Sequence, residues 1–332
     1  MKGLFVTSPG MLDILELPTP QPGPYEALVK TEACAICNST DTKILNGEFV
    51  SGTWPVLMGH ETVGRVIKVG ENVENYHIGD LVLRGSLQDR HIPFSGGRSC
   101  WGGFVEYNLV TDVWSQKGFS GTTQNHPQQT VPSGIDPVHA TAMITLKENM
   151  SVISNFNVVG KSVAIIGTGP VAQAMALFSG LMGAGIVVVF GRNPEWHDRF
   201  MTLGADAYVS TDNIPLKVKH IIDGGGFDRV LEAVGSQEAL SKCILLAGTE
   251  GKVGLYGIPS ENAPYHESDR NNPIVTVPAV NEAEVHTQML DLVDKGRINL
   301  ADWVSACIPW TEYQEGFRLV WEKRANKVVL TF

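Results

Sequence analysis

A thiol, an imidazole and a carboxylate stand in the N-terminal part of this chain, as Cys37 in CNSTD and as the adjacent His60 and Glu61 in MGHETVGRVIKVG. Together these groups suit a borderline-soft divalent cation such as zinc. Each alone is equally at home in a purely structural role, because cysteine is often simply buried, histidine a satisfied core residue and glutamate a solvated surface group. A second signal downstream gives the set its weight. SVAIIG ends in Gly167, Gly169 lies two residues on, and Ala172 fills the third position of G-x-G-x-x-G/A ahead of the helix-like AQAMALFSGLMGA. In a strand, turn, helix context Gly167 permits the tight turn, Gly169 lets the backbone approach a pyrophosphate, and Ala172 lets helix pack closely on strand. The helix start at Pro170 and Val171 is then an anion site for the cofactor's phosphates. The chemistry implied is hydride exchange between a nicotinamide dinucleotide and a carbinol carbon, with a cation stabilising the conjugate base of an alcohol.

The strand after that turn, GIVVVF, closes on Gly191 and Arg192, where an NAD enzyme commonly carries an acid on the ribose 2′-hydroxyl. An acid there would repel a 2′-phosphate, whereas glycine leaves room for it and a guanidinium pairs with it bidentately. NADP(H) is therefore the expected coenzyme, with NAD(H) as the alternative.

Two kinds of element must position these groups. The chain has 332 residues, past the size at which one core usually stops growing, so two domains are expected. From Met1 to about Val110, short β-like runs such as 26–31 and 62–69 alternate with PQPGP, GEN and GD turns, the texture of a mostly β domain. From about Lys161 the apolar runs SVAIIG, GIVVVFG, RVLEAVG and GKVGLYG alternate with helix-length segments, which predicts an α/β domain with a doubly wound parallel sheet. Amphipathic stretches over 282–295 and 310–323, then the strand-like KVVLTF, return the chain to the first domain. The least regular segments are 86–100 and 116–133. The boundaries so drawn are 1–150 with 279–332 for one domain and 151–278 for the Rossmann domain.

Composition narrows the function classes. A formal net charge of −10 offers no basic field for nucleic acid or an anionic membrane surface. No run reaches the length of a membrane helix, no secretory signal is visible, and five scattered cysteines suggest a reduced compartment. A cytoplasmic enzyme acting on a small molecule is expected.

The chain resembles the medium-chain dehydrogenase/reductase family, through C-x-S, GHE followed by G-x-V-x-x-V-G, GDLVL, GGFVEY, GTGPVA and the closing KVVL. The resemblance covers nearly the whole chain. It implies a GroES-like catalytic domain formed by both termini, a Rossmann domain between them, one catalytic zinc and assembly as a homodimer or homotetramer. By the same resemblance Cys37 and His60 are zinc ligands, Glu61 is a near or alternating ligand, and Ser39 is the first member of a proton relay. LKENMSV is similar to the glutamate-containing segment of the sorbitol-dehydrogenase branch and points to Glu148 as a further ligand. Either Glu61 or Glu148 would be the resting ligand.

Three features depart from the family's pattern. The four-cysteine lobe of the structural zinc has collapsed to RGSLQDRHIPFSGGRSCWGG with Cys100 alone, so no structural zinc is expected. The acid that should follow the serine and orient the zinc-bound histidine is displaced, with Thr40 in its place and Asp41 one residue later. Thr42 stands where the liver enzymes carry the histidine that finishes the proton relay. An alcohol, polyol, sugar alcohol or aminocyclitol is the expected substrate. The alternatives are a zinc-free quinone or enone reductase of the same fold and a non-catalytic dinucleotide-binding protein.

Overall fold

The computed structural model describes residues 1–48, 52–116, 126–210, 216–322 and 324–332. The chain divides into two compact units, one of Met1–Lys147 with Glu282–Phe332 and one of Glu148–Asn281.

The first unit is built on a seven-stranded sheet. Its order is Ala306–Pro309, Val328–Thr331, Glu26–Ile36, Glu61–Val69, Leu81–Leu83 and Thr130–Val131, with Tyr107–Thr111 also paired to Glu26–Ile36. A four-stranded sheet, Met11–Glu16, Lys2–Ser8, Val56–Leu57 and Arg98–Ser99, completes it. The register around the central strand creates the site. Ala35 pairs with Glu61 on one side and Ile36 with Val328 on the other. Three strand ends therefore meet at one edge, bringing Cys37, His60 with Glu61, and Lys327 to the same place. Beneath them Leu4, Cys34, Ile36, Ile44, Phe104, Phe317 and Leu330 form a buried core. Each such side chain stabilises the fold by roughly 1.5–3 kcal/mol relative to exposure. That core gives the strand ends a rigid base.

The second unit is a parallel six-stranded sheet in the spatial order Ala207–Val209, Ile186–Phe190, Ser162–Ile166, Arg229–Glu232, Lys252–Leu255, Val275–Thr276. Numbered along the chain this is 3-2-1-4-5-6, the doubly wound order with its reversal between the first and fourth strands. Val163, Ala164 and Ile165 are wholly buried, as a strand covered on both faces requires.

Local limits differ from the sequence expectation in instructive ways. The strand begun at Glu26 runs to Ile36, because strands on both its sides keep its backbone paired beyond the apolar run. The amphipathic stretch 282–295 is helical only over His286–Asp294, its first residues being held by tertiary contacts of Glu282 and Ala283. The stretch 310–323 becomes a 3₁₀ turn, Trp310–Glu312, and a helix, Tyr313–Trp321, while residue 323 lies outside the described residues. Of the irregular stretch 116–133, residues 117–125 likewise lie outside them. No helix among the described residues is long and apolar enough to cross a membrane.

Candidate active site

Cys37 sits just beyond the strand Glu26–Ile36, and the helix Thr40–Leu45 starts three residues later. The Asp41 N–H donates to the Cys37 carbonyl at 3.1 Å, and the Cys37 N–H donates to Asp41 Oδ2 at 2.8 Å. This reciprocal pair folds the acid back over the cysteine. Asp41 Oδ1 lies 3.4 Å from His60 Nδ1, within ion-pair range but outside hydrogen-bond alignment. Both atoms are buried and neither has a hydrogen-bond partner. The one-residue displacement of the acid is thus absorbed by the helix start, and Asp41 reaches the imidazole after all.

Cys37, His60 and Glu61 each offer a ligand atom, and those atoms lie within 4.8 Å of one another. Around a tetrahedral zinc with bonds of about 2.0–2.3 Å, ligand atoms are separated by roughly 3.5 Å, so this set needs only small adjustments to close on a cation. With Nδ1 turned to Asp41, Nε2 of His60 is left for the metal, the carboxylate–histidine–metal arrangement that fixes tautomer and ring orientation. The orphaned pair and the soft-plus-borderline donor set together fit zinc. Burial disfavours an imidazolium at His60, but the neighbouring Cys37 and Asp41 outweigh it and raise its pKa well above the usual histidine value. The site is therefore poised for positive charge.

Glu61 is more constrained than its sequence position suggests. Lys327 Nζ donates to its Oε2, Thr145 Oγ1 donates to its Oε1 at 2.9 Å, and Lys327 also donates to Thr145 Oγ1 at 2.8 Å. Burial alone would raise the carboxyl's pKa; the Lys327 ammonium and His60 overcome this and lower it. Glu61 is held as a carboxylate with both oxygens engaged. Ser39 is exposed, and its Oγ accepts from Lys43 Nζ at 3.1 Å. Thr42 Oγ1 is buried without a partner. Beside His60 stands Trp101, its ring centroid 5.1 Å from the imidazole and its side chain half-exposed. Cys100 is half-buried, and burial pushes its thiol up to about 11.

Cys37, His60 and Glu61 are thus brought together. Glu148 belongs to the second unit, where its Oε2 accepts from the Tyr256 hydroxyl at 3.2 Å. Sequence reasoning missed Lys327 and Thr145. A lysine directly preceding an apolar closing strand was the available signal for the first.

In the second unit, Gly167 has φ +135°, a conformation that favours glycine, and a Cβ there would press on the Ala233 carbonyl. Gly169 caps the helix Pro170–Leu181, with Pro170 in its first turn, and the space a Cβ would enter at Gly169 is open. Helix N–H groups from Val171 onward face that opening as an anion cradle. At the end of the next strand, a Cβ on Gly191 would lie 2.2 Å from the Tyr208 hydroxyl and 2.4 Å from Thr168 Cγ2. The glycine is therefore required by the packing of Tyr208, whose hydroxyl donates to the Asn193 carbonyl at 2.6 Å, independently of any room for a phosphate. Arg192 is exposed; its charge adds to that of Lys242, the principal cause, in lowering the pKa of the Glu238 carboxyl.

Comparison with known proteins gives two family matches. Residues 23–117 match the alcohol dehydrogenase GroES-like domain, and residues 170–295 match the zinc-binding dehydrogenase domain. An L-threonine 3-dehydrogenase of Caldanaerobacter subterraneus subsp. tengcongensis is 27% identical, the alignment covering 96% of this chain and 94% of that protein. The alcohol dehydrogenase TADH from Thermus sp. ATN1 superposes with a TM-score of 0.79 at 23% identity, covering all of both chains. A Sinorhizobium meliloti 1021 protein solved with bound NADP superposes with a TM-score of 0.76 at 25% identity, covering 100% of this chain and 99% of that one.

Proposed function

The chain belongs to the zinc-dependent medium-chain dehydrogenase family, and from that premise we propose that it exchanges hydride between a small secondary alcohol or polyol and NADP(H), with NAD(H) as the second choice. The observation that carries this reading is the gathering of Cys37, His60 and Glu61 within 4.8 Å under the buried Asp41. Cys37 Sγ and His60 Nε2 would hold the metal, with Glu61 of the same cluster as the near or alternating ligand. Bound there, zinc would supply the Lewis acidity that lets an alcohol release its proton near neutral pH.

The chain's own groups do the rest. Asp41, 3.4 Å from His60 Nδ1, favours the ring orientation that presents Nε2. Glu61, pinned by Lys327 and Thr145, places a fixed negative charge beside the ligand set. Ser39 Oγ takes the substrate hydroxyl proton as its own hydroxyl proton passes to the solvent that the exposed side chain reaches, and the Lys43 ammonium next to it favours the intervening negative oxygen. In the second unit, Gly167, Gly169, Pro170 and Val171 cradle the pyrophosphate, and Arg192 beside Gly191 pairs with the adenosine 2′-phosphate. The NADP-bound Sinorhizobium meliloti structure supports a nicotinamide dinucleotide as the coenzyme. The relative named as an L-threonine 3-dehydrogenase, whose substrate is a secondary alcohol, supports the substrate class; sugar alcohols and aminocyclitols remain in it.

The test is a panel of secondary alcohols, polyols and amino alcohols assayed with both coenzymes by nicotinamide absorbance. Metal-dependent turnover of at least one member supports the reading. Failure of the whole panel, with a quinone or enone reduced instead by zinc-free protein, would favour the zinc-free alternative.

A further inference from the structure

We infer that Arg84 and Glu282 form a clamp on the main chain of His60 and act as positioning residues for the metal-binding imidazole. The inference rests on the reading of Cys37 and His60 as metal ligands. Arg84 Nη1 donates to the His60 carbonyl at 2.9 Å, and Nη2 of the same guanidinium meets Glu282 Oε1 at 2.9 Å. The Arg84 and Glu282 side chains are only 9% and 11% exposed, so this is an interior bridge and not a solvated surface pair.

The Arg84 main chain is tightly held. The Arg84 N–H donates to the Thr62 carbonyl at 2.7 Å, and the Arg84 carbonyl accepts from Gln128 Nε2 at 3.0 Å. Its φ is +61°, a left-handed conformation that residues with a Cβ enter only under constraint. Main-chain contacts thus aim the side chain at His60. The peptide it grips lies between the imidazole and the strand that begins at Glu61. A shift of that carbonyl tilts the ring and moves Nε2, and the Asp41 contact at 3.4 Å is too loose to restrain it alone. A planar fork binds a carbonyl on one nitrogen and a carboxylate on another in a fixed geometry, which the single nitrogen of a lysine does not reproduce.

The experiment uses the full-length, zinc-loaded protein and its R84Q, R84K and E282Q variants. Three quantities are read: the rate of zinc transfer to a chromophoric chelator, the thermal midpoint, and dinucleotide affinity. Loss of an outer-shell partner typically weakens metal binding by about 10–100-fold, so R84Q is expected to release zinc at least about tenfold faster. R84K should fail to rescue it, and E282Q should fall between R84Q and the parent. Dinucleotide affinity should stay within about twofold, since those residues belong to the other unit. A release rate within about twofold of the parent in R84Q, whatever its thermal midpoint, overturns the clamp. If R84Q does not fold, E282Q decides by the same criterion. A parent that retains no zinc contradicts the metal reading itself, and the clamp falls with it.

Discussion

Lys327 and Glu61 form a buried ion pair 266 positions apart in sequence, each side chain 4% exposed, with Thr145 hydrogen-bonded to both. The register explains the meeting, since both residues lie at strand ends that flank the strand Glu26–Ile36. Removing one partner of such a pair leaves an uncompensated interior charge and typically costs about 3–5 kcal/mol, whereas replacing both by apolar groups is often neutral. We therefore expect K327M to destabilise the protein by about 3 kcal/mol or more, and K327M/E61M to recover most of the loss. Urea unfolding of the parent and both variants measures this. A loss below about 1 kcal/mol in K327M would show that the pair is solvated in solution.

The coenzyme prediction isolates Arg192. A guanidinium on a phosphate contributes on the order of 1.5–3 kcal/mol, which after partial solvent screening leaves roughly a tenfold preference for NADP in kcat/KM. R192L should remove most of it while changing kcat/KM with NAD by less than about threefold. Gly191 is left alone in this test because a side chain there would collide with Tyr208. A parent that prefers NAD, unaltered by R192L, would make Arg192 a surface charge without a role in coenzyme choice.

What the sequence made legible follows from how local the constraint is. The Gly167, Gly169 and Ala172 turn could be read directly, because a tight turn and a close helix contact leave their mark on adjacent residues. The metal donors were legible as residue types, and Asp41 was visible but displaced by one position. Nothing in a linear motif says that the Asp41 N–H would return to the Cys37 carbonyl and carry the acid to His60. Lys327 left only its place ahead of the closing apolar strand, and Thr145, Arg84 and Glu282 left nothing legible. Their partners are 266, 84, 24 and 198 positions away, and pairings made by the tertiary fold have no local signature. Gly191 carries two readings at once, since its type is read as room for a phosphate and the packing of Tyr208 also favours a glycine there.

His286 links stability to pH. Burial, with the charge of Lys147, lowers its pKa to about 4, and its Nε2 hydrogen-bonds the Thr130 carbonyl at 2.9 Å. The folded pKa lies below the unfolded value of about 6.5, so between these limits the unfolded chain binds more protons. Stability is then fully present above about pH 6.5 and falls as pH drops toward 4, by up to about 1.4 kcal/mol per pH unit. H286Q keeps a donor for Thr130 and removes the titration, so its stability should depend less steeply on pH over this window. Equal slopes in parent and variant, from urea unfolding at several pH values, would show that His286 is not the linked group.

The most direct test of the central claim measures zinc content, alcohol turnover and dinucleotide affinity together in the parent and in C37S. The account predicts one zinc per chain in the parent, because Cys37, His60 and Glu61 are the one candidate ligand cluster among the described residues. In C37S it predicts loss of the zinc, turnover reduced at least about a thousandfold, and a dinucleotide Kd within about threefold of the parent, since the phosphate cradle belongs to the other unit. Undiminished alcohol oxidation by zinc-free C37S would contradict it.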